Sequence, residues 1–179
     1  MGCTLRSTRP NCAVRATPGI ALPTYWAYAS EIDTFPALKT TTGAGDAVTI
    51  NGNIVLADDV SWREVVLHTK SGEVECEFVG QNGIGGFQNR LIGQVAGNDA
   101  ARAEFATCAT TACGIVMIVK QNNGSYRVIG SKDQPAFVKE WKENTGKSGA
   151  DFAGHAFSFE EENSIPAAFY TGTITPIEE

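Results

Sequence analysis

Three closely spaced carboxylates, Glu73, Glu75 and Glu77, are the most suggestive chemical feature of this sequence. Because side chains alternate between the two faces of a β-strand, these three share one face, and apolar residues such as Val74 and Phe78 share the other. The ordinary interpretation is a solvated sheet face whose apolar side packs on a core. Neighbouring carboxylates repel one another, however, so the alternative is a surface that is built to be negative.

The residues that follow predict a β-hairpin with this acidic face. Residues 80–86 (Gly-Gln-Asn-Gly-Ile-Gly-Gly) suit a turn, and residues 88–95 have the pattern of a second strand. We expect the rest of the chain to hold this hairpin in place.

Other residues that could support catalysis or bind a ligand lack the required spacing. Residues 146–148 (Gly-Lys-Ser) resemble the end of a phosphate-binding loop, but the glycine needed at position 141 is Trp141. The five cysteines include no Cys-x-x-Cys pair for zinc. Cysteines and two histidines are present, so a Cys–His nucleophile with His68 or His155 remains possible. Each histidine, however, lies within an alternating strand and is more simply a structural residue. We therefore predict no enzymatic activity, no metal and no cofactor.

Charge and hydropathy exclude two further classes of protein. The net charge of −6 argues against a nucleic-acid binder held by phosphate contacts, and no apolar run is long enough to span a membrane. The charge is uneven: residues 1–40 carry a net +2, with Arg6, Arg9 and Arg15 near the start, and the remaining residues carry −8. A basic segment and an acidic body could provide complementary charge between neighbouring subunits.

The pattern along the chain predicts an extended N-terminal arm, residues 1–23, and a single β-rich domain, residues 24–179. Charged residues are 19% of the chain, below the roughly 25% that is usual, which is typical of a surface covered in an assembly. One helix is predicted at residues 100–108, after Asn98-Asp99. The predicted strands are residues 25–29, a hairpin of 47–50 and 53–56, 61–69, 73–79, 88–95, a hairpin of 115–119 and 126–129, 152–160, and 165–174. The four-residue spacing of Phe137 and Trp141 predicts a short helix. Residues 160–163 predict a turn.

Several short sequence features follow one another along the chain in a characteristic order. They are the start Met1-Gly2-Cys3, residues 25–32, residues 46–50, residues 62–77, Phe87-Gln88-Asn89, Gly97-Asn98-Asp99, residues 115–130 with their Asn-Asn-Gly turn, and Gly154, Phe157 and Phe159 followed by Pro166-Ala167. This order resembles that of the tail tube proteins of tailed phages, particularly the small ones of siphophages that infect Bacteroidetes-type hosts.

The resemblance implies a β-sandwich or half-barrel subunit with one flanking helix, which forms homo-hexameric rings that stack into the tail tube of a virion. Each subunit would contribute strands to an inner barrel, here residues 61–69, 73–79 and 88–95. The arm, with Arg6, Arg9 and Arg15, and a loop at residues 39–59 would bridge rings. Other tail proteins (tape measure, terminator and baseplate or tip) would be partners.

Under this resemblance the acidic face acquires a function. Glu73, Glu75 and Glu77 would face the bore and repel the phosphates of genomic DNA, which would pass through without specific binding. Two alternatives stay open: a tail terminator, connector or capsid-associated protein, and a monomeric β-sandwich module that binds a ligand at Trp62, Tyr126 or Trp141. Whether Cys3 and Cys12 pair is also open.

Overall fold

The computed structural model describes residues 18–41, 43–82, 84–148 and 151–176. Within them the chain forms one α-helix, α1 (Ala100–Ala109), and eleven strands. The strands are β1 (Ile20–Tyr28), β2 (Ile32–Thr34), β3 (Val55–Leu56), β4 (Arg63–Val65), β5 (Glu73–Gln81), β6 (Ile84–Ala96), β7 (Ile115–Gln121), β8 (Tyr126–Ile129), β9 (Phe137–Asn144), β10 (Gly154–Asn163) and β11 (Ala168–Tyr170).

The strands form two main antiparallel sheets and one small one. The five-stranded sheet has the order β11-β8-β7-β1-β4, and the four-stranded sheet has the order β5-β6-β10-β9. Strands β2 and β3 form a separate pair. The prediction of a mainly-β fold with one α-helix is therefore confirmed.

Two hydrophobic clusters cover the two faces of the five-stranded sheet. One contains Trp26 and Met117 together with Leu91 and Phe159, so it lies between the two main sheets. The other contains Ile118 together with the segment before β4. Because β7 alternates between these clusters, its first five residues are all buried, as the apolar run predicted.

The helix and two hairpins form where local signals predict them. The Asp99 side chain accepts a hydrogen bond from the backbone N–H of Arg102 (3.0 Å) and caps α1. The ring of Phe105 anchors the helix against Trp26 and Trp141 at centroid distances of 5.4 and 5.5 Å. Strands β5 and β6 pair, as do β7 and β8, whose turn includes Gly124 at a φ of +87°, which favours glycine.

The predicted limit of the N-terminal arm is wrong, because β1 begins at Ile20. Ile20 pairs with Gln121, and the register shifts between Ile20 and Thr24. Pro23, which has no N–H to donate, lies within this irregular stretch, so the strand tolerates it. Residues 1–17, which include Arg6, Arg9, Arg15, Cys3 and Cys12, lie outside the described residues.

The predicted short helix near Phe137 and Trp141 is also wrong, because these residues belong to β9. Strand β9 contains a β-bulge: Ser158 pairs with Glu140 and Phe159 pairs with Val138, so Lys139 is an extra residue. The bulge places Phe137 beside Glu160 on one face and Trp141 beside Phe157 on the other, so their four-residue spacing does not reflect a shared face.

Several other predicted strands are shorter or pair differently. Only Arg63–Val65 of residues 61–69 and only Ala168–Tyr170 of residues 165–174 are strand. The hairpin predicted around Asn51-Gly52 does not form, because β3 pairs with β2. The predicted turn at residues 160–163 is instead the end of β10.

The segment proposed as an inter-ring loop, residues 39–59, is anchored to its own subunit. Ile50 and Ile54 are buried against the five-stranded sheet, and the Ile50 N–H donates to the Phe169 carbonyl (2.9 Å). Residues 43–45 are exposed. Any bridging role is therefore restricted to the outer part of this segment.

An ion pair fixes β4 to the end of β1. Arg63 Nη1 and Nη2 donate to Glu31 Oε2 and Oε1 at 2.6 and 2.7 Å, and the guanidinium lies 5.1 Å from the Trp26 ring centroid. The hydrogen bonds from Arg63 lower the pKa of Glu31. Their stabilisation is therefore present above the ordinary pKa of 4.5 and is lost as the pH falls through the lowered value.

We expect Glu31→Gln to lower the free energy of unfolding by about 1–2 kcal/mol near pH 7, because it removes a charged, bidentate and partly buried pair. The difference from wild type should shrink near pH 3. Urea unfolding at the two pH values measures both effects. The exposed Asp33→Asn is the control, and a loss that does not depend on pH would contradict the assignment.

Candidate functional site

The outer face of the four-stranded sheet, which we call the polar face, is the surface that the fold leaves free of core packing. Its rows follow from the strand register: Glu75 on β5 is beside Arg90 on β6, which is beside Glu160 on β10. The next row is Glu77, Gln88 and Glu162. The prediction that Glu73, Glu75 and Glu77 share a solvent-exposed face is confirmed.

The polar face is net negative. It carries six carboxylates and three cationic side chains, a formal charge of −3. The carboxylates are Glu73, Glu75, Glu77, Glu140, Glu160 and Glu162, and the cationic side chains are Arg90, Lys139 and Lys142.

Arg90 neutralises the middle of this face. Its guanidinium lies 3.4 Å from Glu75 Oε2 and 3.3 Å from Glu160 Oε1, and the hydrogen bond to Glu160 raises the pKa of Arg90. Among the residues that the structure describes, neither Glu73 nor Glu77 forms an ion pair. The carboxylates on β5 that have no basic partner among the described residues are therefore Glu73 and Glu77, which lie on either side of Glu75 along the strand.

The predicted burial of the apolar side of β5 is wrong for most of the strand. Val74 packs on the core, but Cys76 is exposed, and Phe78 is 47% exposed. Within the described residues, the core between the two sheets includes Val74 but does not extend to Cys76 and Phe78. We call residues 78–82 and 84–87 the hairpin tip.

The hairpin tip is apolar on both faces. Val79 and Ile84, which lie on the side of the glutamates, are 55% and 82% exposed. On the opposite side Phe78 packs edge-to-face against Phe87, with ring centroids 5.6 Å apart. The hairpin tip is therefore a group of exposed apolar side chains outside the core.

The sheet that carries the polar face has two open edges in the described part of the chain. Strand β5 pairs with β6 alone, and β9 pairs with β10 alone. Each edge presents unpaired backbone N–H and C=O groups, which can add a strand from another chain.

Compared with known protein families, curated proteins and solved structures, the chain shows no match. The resemblance to phage tail tube proteins therefore rests on the order of its sequence motifs.

The residues considered for catalysis or metal binding do not converge. The Nδ1 atom of the buried His155 accepts a hydrogen bond from Trp141 Nε1 (3.3 Å), and the exposed His68 packs against Phe152. The described residues contain no group of three His, Cys, Asp or Glu side chains that could hold a metal. No helix in the described residues has the length and apolar character needed to cross a membrane.

One groove could accept a ligand, but it differs from the one predicted. It has a volume of about 630 Å³ and lies between α1 and the edge strand β4, with Trp26, Tyr28 and Phe105 in its lining. Of the aromatic residues proposed from sequence, Trp62 is buried in the core, and Trp141 stacks on Phe157 at 5.2 Å. Trp62 is therefore excluded from a ligand groove, and the half-buried Tyr126 and Trp141 do not line this one.

Sequence reasoning missed Glu160 and Glu162 as members of the polar face. His155, Phe157, Phe159 and Glu161 alternate along β10 and are all buried on its inner face. Glu160 and Glu162, the neighbours of Glu161, therefore lie on the polar face. A carboxylate at a core position broke the apolar pattern and led to the prediction of a turn.

Proposed function

We propose that this protein is a structural subunit of the phage tail tube type, which assembles into stacked rings around a bore, and that it is not an enzyme. One observation carries the proposal: the four-stranded sheet combines a negative polar face, an exposed apolar hairpin tip and two edges that are open among the described residues. A monomer gains nothing from this combination, because open edges and exposed apolar groups favour aggregation.

In a ring, the open edges would pair with neighbouring copies and the polar face would line the bore. Edges of neighbouring subunits would pair, so that the sheets join into one closed barrel without open edges. The polar face would line the bore, and the five-stranded sheet with its second hydrophobic cluster would form the outer wall. The partners would be further copies in homo-hexameric rings, together with other tail proteins, in the tail of a virion made in the host cytoplasm.

The acidic bore would keep DNA from adhering to the wall. Duplex DNA carries one negative charge per roughly 1.7 Å of its axis, so a wall of net negative charge repels it. Screening limits the repulsion to about 8 Å at physiological salt, and the face would act as a short-range lubricant without specific binding.

Negative-stain electron microscopy of the full-length protein, with light scattering on the same sample, tests this function. We expect hollow tubes or stacked rings and a mass well above 19 kDa. Single rings that do not stack would favour a tail terminator or connector. A monodisperse monomer at high concentration would contradict the proposal.

A second candidate function is a monomeric ligand-binding module, which the groove between α1 and β4 favours. Its aromatic lining and volume are typical of a site for a small apolar or aromatic molecule. A stable monomer whose Trp26 fluorescence responds to an added aromatic probe would support this alternative.

A further inference from the structure

We propose that neighbouring copies join by antiparallel pairing of β5 of one copy with β9 of the next, and that charges on these two edges select this pairing. The acidic partners are Glu73 and Glu77, and the basic partners are Lys139 and Lys142. This inference rests on the proposed ring-forming function and specifies which edges meet in it and why.

The strand directions permit this seam. Each strand of the four-stranded sheet is antiparallel to its neighbours, so β5 and β9 run in opposite directions. Copies in a ring are related by rotation alone, which preserves strand direction. The β9 edge of one copy therefore meets the β5 edge of the next in the antiparallel sense, and the joined sheet continues the pattern within each subunit.

The charges on the two edges are complementary. Strand β5 has three glutamates on the polar face and no lysine or arginine anywhere along it. Strand β9 presents Lys139, Lys142 and Glu140 on the same face, a net charge of +1. Pairing β5 with a second β5 would place glutamates against glutamates, which is destabilising across strands. Only the β5–β9 seam brings a row of carboxylates beside the two lysines.

The side chains that would meet across the seam lack strong partners inside the subunit. Arg90 is occupied by Glu75 and Glu160, and Glu73 and Glu77 form no ion pair in the described part of the chain. The Lys139 side chain is 63% exposed, with its Nζ 3.6 Å from Glu160 Oε2, and Lys142 is exposed without an ion pair among the described residues.

Two charge-reversed variants of the full-length protein test the seam. One carries Glu73→Lys with Glu77→Lys, and the other carries Lys139→Glu with Lys142→Glu. In either variant alone, the two edges have like charge. We expect the protein concentration at which rings or tubes appear to rise more than about tenfold. An equimolar mixture should restore assembly, because the two variants can alternate around a ring of six, and native mass spectrometry should find them in equal numbers.

A control variant, Glu104→Lys with Asp133→Lys, makes the same change in net charge as the β5 variant, at exposed positions outside β5 and β9, and should assemble like wild type. Circular dichroism verifies that every variant is folded. Normal assembly of either reversed variant alone, or failure of the mixture while wild type and control assemble, would overturn the seam. Discrete dimers in the mixture would indicate β5–β5 pairing and would also overturn it. A wild-type chain that never assembles would overturn the proposed function itself.

Discussion

Replacement of Phe159 with alanine should destabilise the subunit by about 4 kcal/mol, because it leaves a cavity in the main core. Phe159 is fully buried between the two main sheets, and its ring contacts Phe157 and Trp141 at centroid distances of 5.3 and 6.5 Å. Urea-induced unfolding measures the change in the free energy of unfolding. A loss below about 1 kcal/mol would mean that the two sheets are not packed as described.

Phe78→Ala is the matched control, because Phe78 lies on the same side of the four-stranded sheet but beyond the edge of the core. We expect a loss below about 1 kcal/mol in the isolated subunit, since the ring is already 47% exposed. The same variant should assemble less readily than wild type if the hairpin tip is covered by another copy. The pair of variants thus separates the stability of the subunit from the stability of the assembly.

Replacement of Glu161 with alanine is expected to lower the free energy of unfolding by about 3 kcal/mol. Glu161 is buried, and its Oε1 and Oε2 atoms accept hydrogen bonds from Asn89 Nδ2 (2.9 Å) and from the Gly130 N–H (2.7 Å). Alanine would leave the buried Gly130 N–H without an acceptor, at a cost of about 1–3 kcal/mol. It would also leave Asn89 Nδ2 with the Ile165 carbonyl (3.1 Å) as its remaining acceptor. Because Gly130 follows β8, this network connects the two main sheets, and the loss should appear as reduced cooperativity or a lower urea midpoint.

The charge on Glu161 should make the stability of the protein depend on pH. Burial raises the pKa of Glu161 above its ordinary 4.5, although the hydrogen bonds oppose that shift. The favourable contribution of the protonated carboxyl is therefore full below 4.5 and declines as the pH rises through the raised value. Glu161→Gln cannot titrate, so the stability difference between this variant and wild type should move in favour of the variant as the pH rises above 4.5. A change in the opposite direction would contradict the assignment.

The two main sheets differ in how their faces are covered. The five-stranded sheet has a hydrophobic cluster on each face, which makes it the interior layer of the subunit. Within the described residues, the four-stranded sheet is covered by the core on its inner face, and its opposite face carries charged side chains.

The elements that the sequence predicted correctly are those with strong local signals. Asp99 caps α1 because its carboxylate accepts a hydrogen bond from the backbone N–H three residues later. Gly124 permits the turn between β7 and β8 because glycine tolerates a positive φ. The continuous apolar run of β7 required a covering layer on each face, and two layers are present. Likewise, the period of β5 was enough to place its three glutamates on one face.

Tertiary structure alone decided which of these faces is buried, which edges stay open and which charges are neighbours. Phe78 alternates correctly and is still exposed, because burial depends on a second layer that ends before it. The bulge at Lys139 depends on the pairing of β9 with β10, and the ion pair of Arg90 with Glu75 depends on a register between residues 15 positions apart. Turns, caps and strand periods are encoded within a few consecutive residues, whereas burial, edges and charge neighbours arise from contacts between segments that are distant along the chain.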